Sequence, residues 1–289
     1  MDGILNIIKP SGMTSHDVVS AVRRITGIRR TGHAGTLDPL AAGVLPVYIG
    51  KATRLIEYCD EGGKIYHAQF LLGYGTDTED GTGEIIERKE TPVLSVEAVE
   101  QTLQKLTGTM LQRPSKYSAV KIQGKKAYEL ARANVEFEIP PRKVEIYRNE
   151  LLAFDGTCGL VRTECSKGTY IRALLRDMGE RLGVPAVMTY LVRLQSGAFS
   201  LDTAHTLEEL EGDWQSCVLP IDVGIRHLKR WDGTLKEGRA LSMGQPVAVT
   251  WKETADIAAV YIDGRFTGIA RYDARHNQLR PHKMIYTIG

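Results

Sequence analysis

Arg29-Arg30-Thr31-Gly32-His33-Ala34-Gly35-Thr36-Leu37-Asp38-Pro39-Leu40 is the stretch around which the rest of the chain arranges itself. It has no sustained apolar period, and residues 28–43 hold three glycines and a proline, so it reads as a long loop. Before it, Ile4 to Ile8 reads as a short strand. Ser15 to Ile25 then carries Val18, Val22 and Ile25 at helical spacing, between capping-type Thr14 and Ser15 and a closing Gly27. After it, Val44 to Ile49 reads as a buried strand. The loop offers a single carboxylate, Asp38, beside a histidine and a basic pair. Pro39 biases Asp38 toward extended backbone, which restricts where its side chain points. An isolated Asp-Pro more often only starts a turn; here the residues around it weigh against that plain reading.

From Ile65 to Leu72, alternation places Tyr66, Ala68, Phe70 and Leu72 on one face of a strand. Gly73 to Gly83 reads as a polar turn, with Asp77, Glu79 and Asp80 solvated, leading to a hairpin-like partner strand at Glu84 to Arg88. Helical stripes return at Ser95 to Leu106 and Tyr170 to Leu182, the latter closed by Gly183, with strands at Lys143 to Phe154 and Leu160 to Cys165 between them. Strands interrupted by single helices, without a regular βαβ repeat, predict an α+β fold: a mixed, largely antiparallel sheet flanked by helices. Composition changes near Lys229. Beyond it come a helix-like segment and short strands around an Asp263-Gly264 hairpin signal, so residues 229–289 read as a small all-β module and 1–228 as the main domain. So small a module is expected to pack against the main domain.

The 289 residues are 43% hydrophobic and 25% charged, which excludes a disordered chain. The net charge of +2 leaves any nucleic-acid surface to local placement. Two basic runs provide candidates. Arg29 and Arg30 sit in a stretch from Val18 to Leu37 without an acidic residue, and Lys116, Lys121, Lys125 and Lys126 belong to the second run, with Tyr117 and Tyr128 interleaved. The four cysteines form no C-x-x-C pair and have no histidine at zinc spacing, so free thiols and no metal site are expected. No signal peptide or membrane-spanning run is visible, and a cytoplasmic protein is expected.

Several motifs in series resemble the TruB-type tRNA pseudouridine synthases. They are Lys9-Pro10-Ser11-Gly12-Met13-Thr14-Ser15, Gly32 to Pro39 with Gly43-Val44-Leu45-Pro46, Lys64-Ile65-Tyr66, Arg113 to Lys121, and Ser166-Lys167-Gly168-Thr169-Tyr170-Ile171-Arg172. Together they span roughly the first two thirds of the chain. The resemblance implies isomerisation of uridine 55 in the tRNA T-loop on a flipped-out base, without cofactor. It implies Asp38 as the catalytic aspartate, Arg172 as its cation, and Tyr66 stacked on the base as a proton relay. It also implies Tyr170 and Leu191 lining the uracil pocket, His33 splaying the target nucleotide, and Lys9 and Pro10 supporting the loop. Gly244 to Val247, Asp263 to Ile269 and Leu279 to Pro281 resemble a PUA domain, an RNA-binding barrel that would grip the acceptor end of the tRNA. A monomer suffices.

Two other classes compete. A tRNA binder or folding chaperone would use the same basic runs without turnover, and the intact Asp38 loop with Tyr66 and Arg172 argues against it. A glycoside hydrolase asks for two carboxylates flanking one bond, whereas this constellation offers one.

Overall fold

Thr14 starts the first helix, Ser15–Thr26, by a reciprocal cap: its hydroxyl accepts from the Asp17 N–H and the Asp17 carboxylate accepts from the Thr14 N–H. Gly27, at φ 69°, ends it in the left-handed conformation that glycine adopts without penalty. The computed structural model describes residues 1–59, 62–122, 124–133, 135–251 and 256–288. Its main sheet runs, side by side, Val218–Leu219, Gly3–Lys9, Ala42–Ile49, Ala186–Ser196, Lys64–Leu72, Cys158–Cys165, Arg142–Phe154 and Gly108–Gln112. Thr31–His33 and Phe199–Ser200 flank it as short additions. Neighbours are antiparallel except where Ala186–Ser196 meets Ala42–Ile49 in parallel, Val192 beside Ala42 and Arg193 beside Gly43. Gly43 permits that contact, because a Cβ there would stand 2.2 Å from the Arg193 carbonyl oxygen.

The expected alternation holds: Tyr66, Ala68, Phe70 and Leu72 are all buried. They share one core with stripes from three helices: Val18, Val19 and Val22 of Ser15–Thr26, Val99 and Leu103 of Val96–Lys105, and Leu174, Leu175 and Met178 of Ile171–Leu182. The expected hairpin does not form. Ile85–Arg88 pairs instead with Tyr74–Thr76, because Lys64–Leu72 already has Cys158–Cys165 on one edge and Ala186–Ser196 on the other. Gly73, at φ 92°, turns the chain out of the main sheet before that small ribbon begins.

In the C-terminal segment a second sheet runs Lys229–Gly233, Ile257–Ile262, Arg265–Asp273, Gln278–Met284 and Val247–Ala248, accompanied by the helix Leu235–Ser242. Asp263 and Gly264 both take positive φ, 49° and 74°, as a two-residue hairpin turn of the primed type requires. One buried cluster joins this sheet to the first unit: Tyr261, Phe266, Ile269 and Ile285 share it with Ile4, Tyr48, Leu55 and Tyr58. Polar ties reinforce it, Arg54 donating to the Met284 carbonyl and the Tyr261 hydroxyl to Asp222, both at 2.8 Å.

Candidate active site

The Asp38 loop is held on both sides of its carboxylate. Lys9 is fully buried, and its ammonium donates to the carbonyls of Pro10 at 2.8 Å, Met13 at 2.5 Å and Pro39 at 3.3 Å. Gly12 N–H donates to the Pro39 carbonyl and the Ser11 hydroxyl to that of Leu40, both at 2.8 Å. One residue before Asp38, the Ser15 hydroxyl bonds the carbonyl and the N–H of Leu37, at 3.1 and 2.9 Å. The segment Lys9 to Ser15 is thus a clamp, and burial lowers the Lys9 ammonium to about 8.

The helix Ile171–Leu182 carries Arg172 in its first turn, and Arg172 Nε meets Asp38 Oδ2 at 2.9 Å. The guanidinium also donates to the carbonyls of Thr78 at 2.8 Å and Tyr117 at 3.0 Å, and its Nη1 lies 3.6 Å from Asp80 Oδ2. Asp80 is therefore not the solvated turn residue expected from sequence: it is 5% exposed, and its other oxygen accepts from Thr78 Oγ1, Thr82 N–H and Thr82 Oγ1. Glu79 is likewise enclosed, paired with Arg176 at 2.5 Å. Threonines and glycines make this segment look like an exposed turn; the helix arginines bury it. Burial raises the Asp38 carboxyl above its ordinary value; Asp80 adds to the effect, while Arg172 and Lys9 oppose it.

Asp38 opens onto a cavity of about 250 Å³ whose wall includes Tyr66, Tyr170, Arg172 and Leu191. Five of the residues singled out from sequence thus converge from separate segments. Tyr66 is 7% exposed, and burial raises its phenol. Lys9 and Pro10 sit behind the loop, off the wall. So does His33, on the short strand Thr31–His33, half-buried, its imidazole lowered by burial and by the charge of Arg193. Lys64 and Arg193 were missed; both are buried and both line the cavity. Their signal was a cation two residues from Tyr66 and another two from Leu191, hence on the inward face of each strand. Asp80 is not on the wall, so Asp38 and Asp80 flank a guanidinium and not a substrate bond.

Arg29, Arg30, Lys116, Lys121, Lys125 and Lys126 are exposed. Arg30 is tied to Thr53 at 2.8 Å, and Lys126 and Arg132 each approach the Tyr128 ring, 5.4 and 5.6 Å from its centroid. Among the described residues no cluster of His, Cys, Asp and Glu is placed to hold a metal ion, and no helix is long and apolar enough to cross a membrane. The cavity is suited to a flat polar ring set between a phenol, an aliphatic side chain and one carboxylate whose cation is built in.

Residues 23–171 match the family model described as TruB family pseudouridylate synthase (N terminal domain), and residues 172–224 match that of the tRNA pseudouridylate synthase B C-terminal domain. The chain is 40% identical over 286 residues to tRNA pseudouridine synthase B of Caldanaerobacter subterraneus subsp. tengcongensis, covering 98% of this chain and 99% of that protein. It is 41% identical over 288 residues to the protein of that name from Alkaliphilus oremlandii, covering 96% of each. Among solved structures, a chain of a Cbf5-Nop10-Gar1 complex superposes with a TM-score of 0.77 at 25% identity, over 99% of this chain and 85% of that one. A chain of an H/ACA RNP bound to a substrate RNA containing 2'-deoxyuridine shares the fold, with a TM-score of 0.76 at 24% identity over 98% and 84% of the two chains. With family models matching residues 23–224 and relatives about 40% identical along nearly its whole length, the chain belongs to the TruB family of pseudouridylate synthases.

Proposed function

We infer that this chain isomerises uridine to pseudouridine at position 55 in the T-loop of tRNA, acting on a base flipped out of its stack and without a cofactor. The observation that carries the reading is the Asp38–Arg172 pair at the wall of a ring-sized cavity, in a chain of this family. The reaction breaks the bond between uracil N1 and ribose C1′, turns the base and rejoins it through C5, with no redox change and no net hydrolysis. Asp38 serves it as an anion, as nucleophile or as charge stabiliser. Arg172 favours that ionised form against burial, and the clamp from Lys9 to Ser15 keeps the carboxylate in place. Tyr66 stacks on the flipped ring, with Tyr170 and Leu191 closing the pocket, as recognition of an extruded base requires. His33 would act outside the pocket, against the nucleotide as it leaves the loop.

The exposed cations at 116–126 and at Arg29 and Arg30 supply a phosphate-tracking surface whose affinity falls with salt. We assign residues 1–228 to catalysis and 229–289 to a PUA-like module that contacts the acceptor end of the tRNA, in a monomeric cytoplasmic protein. Three observations support that division: the separate second sheet, the family match that stops at residue 224, and the exposed Arg265, Arg271 and Arg275.

Asp38→Asn tests the chemistry. Incubated with an unmodified tRNA transcript, it is expected to bind but give no pseudouridine by chemical mapping, whereas the wild type converts position 55. Conversion by the variant would overturn the role of Asp38, and failure of the wild type would favour a tRNA binder. For the module, truncation would strip Tyr48, Leu55 and Tyr58 of their cover, so substitution is the cleaner test. Arg265→Glu with Arg271→Glu is expected to weaken binding of full tRNA while leaving conversion of an isolated T-arm stem-loop unchanged; unchanged tRNA affinity removes the acceptor-end role.

A further inference from the structure

The pocket straddles a narrow seam of the main sheet. Asp38 lies in the loop between Thr31–His33 and Ala42–Ile49, whereas Tyr66 and Leu191 stand on Lys64–Leu72 and Ala186–Ser196. The two halves meet in the parallel contact that pairs only Val192 with Ala42 and Arg193 with Gly43. On its other side Ala42–Ile49 is paired along nearly its whole length, from Gly3 with Ile49 to Lys9 with Gly43. The Arg193 side chain, fully buried on the cavity wall, closes the seam. Its Nε donates to the Val44 carbonyl and its Nη2 to the Gly35 carbonyl, each at 2.8 Å. Those carbonyls belong to the two ends of the Asp38 loop. Two carbonyls cannot bond one another, and a planar fork of donors joins both. The backbone ladder at the neck of the loop gives out just there: His33 pairs with Val47, Ala34 N–H reaches the Pro46 carbonyl at 3.2 Å, and Gly35 is next. Gly35, at φ 68°, runs so close that a Cβ would stand 3.3 Å from Arg193 Nη1. Arg193 is also two residues from Leu191 and on the same face of its strand, so one strand holds both the base pocket and the neck of the loop.

We propose that Arg193 is a positioning residue: it staples the neck of the Asp38 loop to the strand that carries Leu191, and so sets the carboxylate in register with the base. The proposal rests on the isomerase reading. Lys9 and Ser15 tie the same loop to the first strand and helix, on the far side of the seam; Arg193 ties it to the half of the sheet against which the base lies. Its contribution is geometric. It acts through two main-chain oxygens on the step at Asp38 and leaves tRNA binding alone, and a misplacement of about 1 Å at a reacting group can cost about 10²-fold in rate. Lysine would keep the charge and lose the fork.

The test is single-turnover conversion of a tRNA transcript at saturating enzyme, with tRNA affinity and the unfolding midpoint measured separately, for wild type, Arg193→Met, Arg193→Lys and Gly35→Ala. Arg193→Met fills the same space without donors. It is expected to lose about 10²-fold in rate at unchanged affinity. Arg193→Lys is expected to recover less than about tenfold of that loss. A purely structural Arg193 would lower the unfolding midpoint while bound tRNA still converts at the wild-type rate. A charge-stabilising Arg193 would be restored by lysine, and one that grips tRNA would lose affinity at unchanged rate. Each of these three results overturns the proposal. Where the Arg193 variants do not fold, Gly35→Ala disturbs the staple from the half-buried loop. It is expected to convert about tenfold more slowly at unchanged affinity, and a wild-type rate overturns the proposal. Where they do fold, adding Gly35→Ala to Arg193→Met costs no further rate, because the staple is already gone; an added loss overturns the proposal. Failure of the wild type to convert would overturn the isomerase reading itself, a result distinct from wild-type conversion with undiminished variants.

Discussion

Arg172 and Arg230 each hold an aspartate by a short ion pair, 2.9 Å to Asp38 and 2.7 Å to Asp232, yet the two carboxylates are driven in opposite directions. In the second sheet, Arg230 and Asp232 are more than half exposed, and the Arg230 hydrogen bond lowers the Asp232 carboxyl. In the Asp38 pocket burial outweighs a similarly close guanidinium, and Asp38 is raised. The difference teaches that ion-pair distance does not set what a charge costs. Water solvates the exposed pair whether or not its partner is present, whereas at the pocket Arg172 is 5% exposed and the half-buried Asp38 depends more on its partner and neighbours. A carboxylate in the second environment carries a poorly solvated charge, whose loss its cation opposes without fully offsetting the burial.

The comparison can be broken at its strongest point first. Asp38→Asn is expected to lower single-turnover conversion by at least about 10³-fold, since it removes the one anion on the cavity wall; rapid-quench assays on a T-arm transcript measure it. Arg172→Met leaves Asp38 and Asp80 facing each other without their shared cation, and a loss of about 3–5 kcal/mol in denaturant unfolding is expected. Arg230→Met, the same change on the exposed pair, is expected to leave the melting temperature unchanged. Equal destabilisation by the two would refute the contrast.

The pH dependence sharpens it. Because Asp38 is raised, the folded chain keeps a proton that the unfolded chain has already released. Between the ordinary carboxylate pKa and the raised one, stability therefore falls as pH rises, while conversion increases as Asp38 ionises. Asp232, being lowered, contributes stability that is present above its ordinary pKa and lost as pH falls through the lowered one. Denaturation and rate profiles of wild type and Asp38→Asn check the first trend, which the variant should lack. The smallest effect concerns Lys9. With its ammonium near 8 in the folded chain, against 10.5 for the free group, stability should rise with pH across that interval relative to Lys9→Met. A flat difference between the two denaturation series would remove the buried-cation account of the clamp.

Much of the fold was legible locally. Thr14 with Asp17 and Gly27 bracket one helix, Gly183 closes another, and Asp263-Gly264 turns a hairpin; each signal lies within a few residues of the structure it dictates. The long-range pairings were not legible. The periodicity that marks Lys64–Leu72 as a strand says nothing of its neighbours, and the nearest following strand proved to be the wrong partner. In the candidate site, Asp38, Tyr66 and Arg172 could be singled out because their surroundings form extended motifs, and the fold brings them to one cavity. Asp80 was misread because a carboxylate among threonines and glycines looks solvated until another element covers it. Arg193 was missed because one cation in an apolar strand has no local signature of what it faces.

Sequence alone determined the Asp38 loop, its proline-restricted backbone and the helices and strands around it, because these depend on steric and hydrogen-bonding rules that act over a few residues. Only the tertiary structure decided the electrostatics of the pocket. It brought Arg172 from a helix more than a hundred residues away onto Asp38, enclosed Asp80 beside them and set Arg193 against Tyr66. The free energy of a charge depends on everything packed around it, and that packing exists only once the chain has folded.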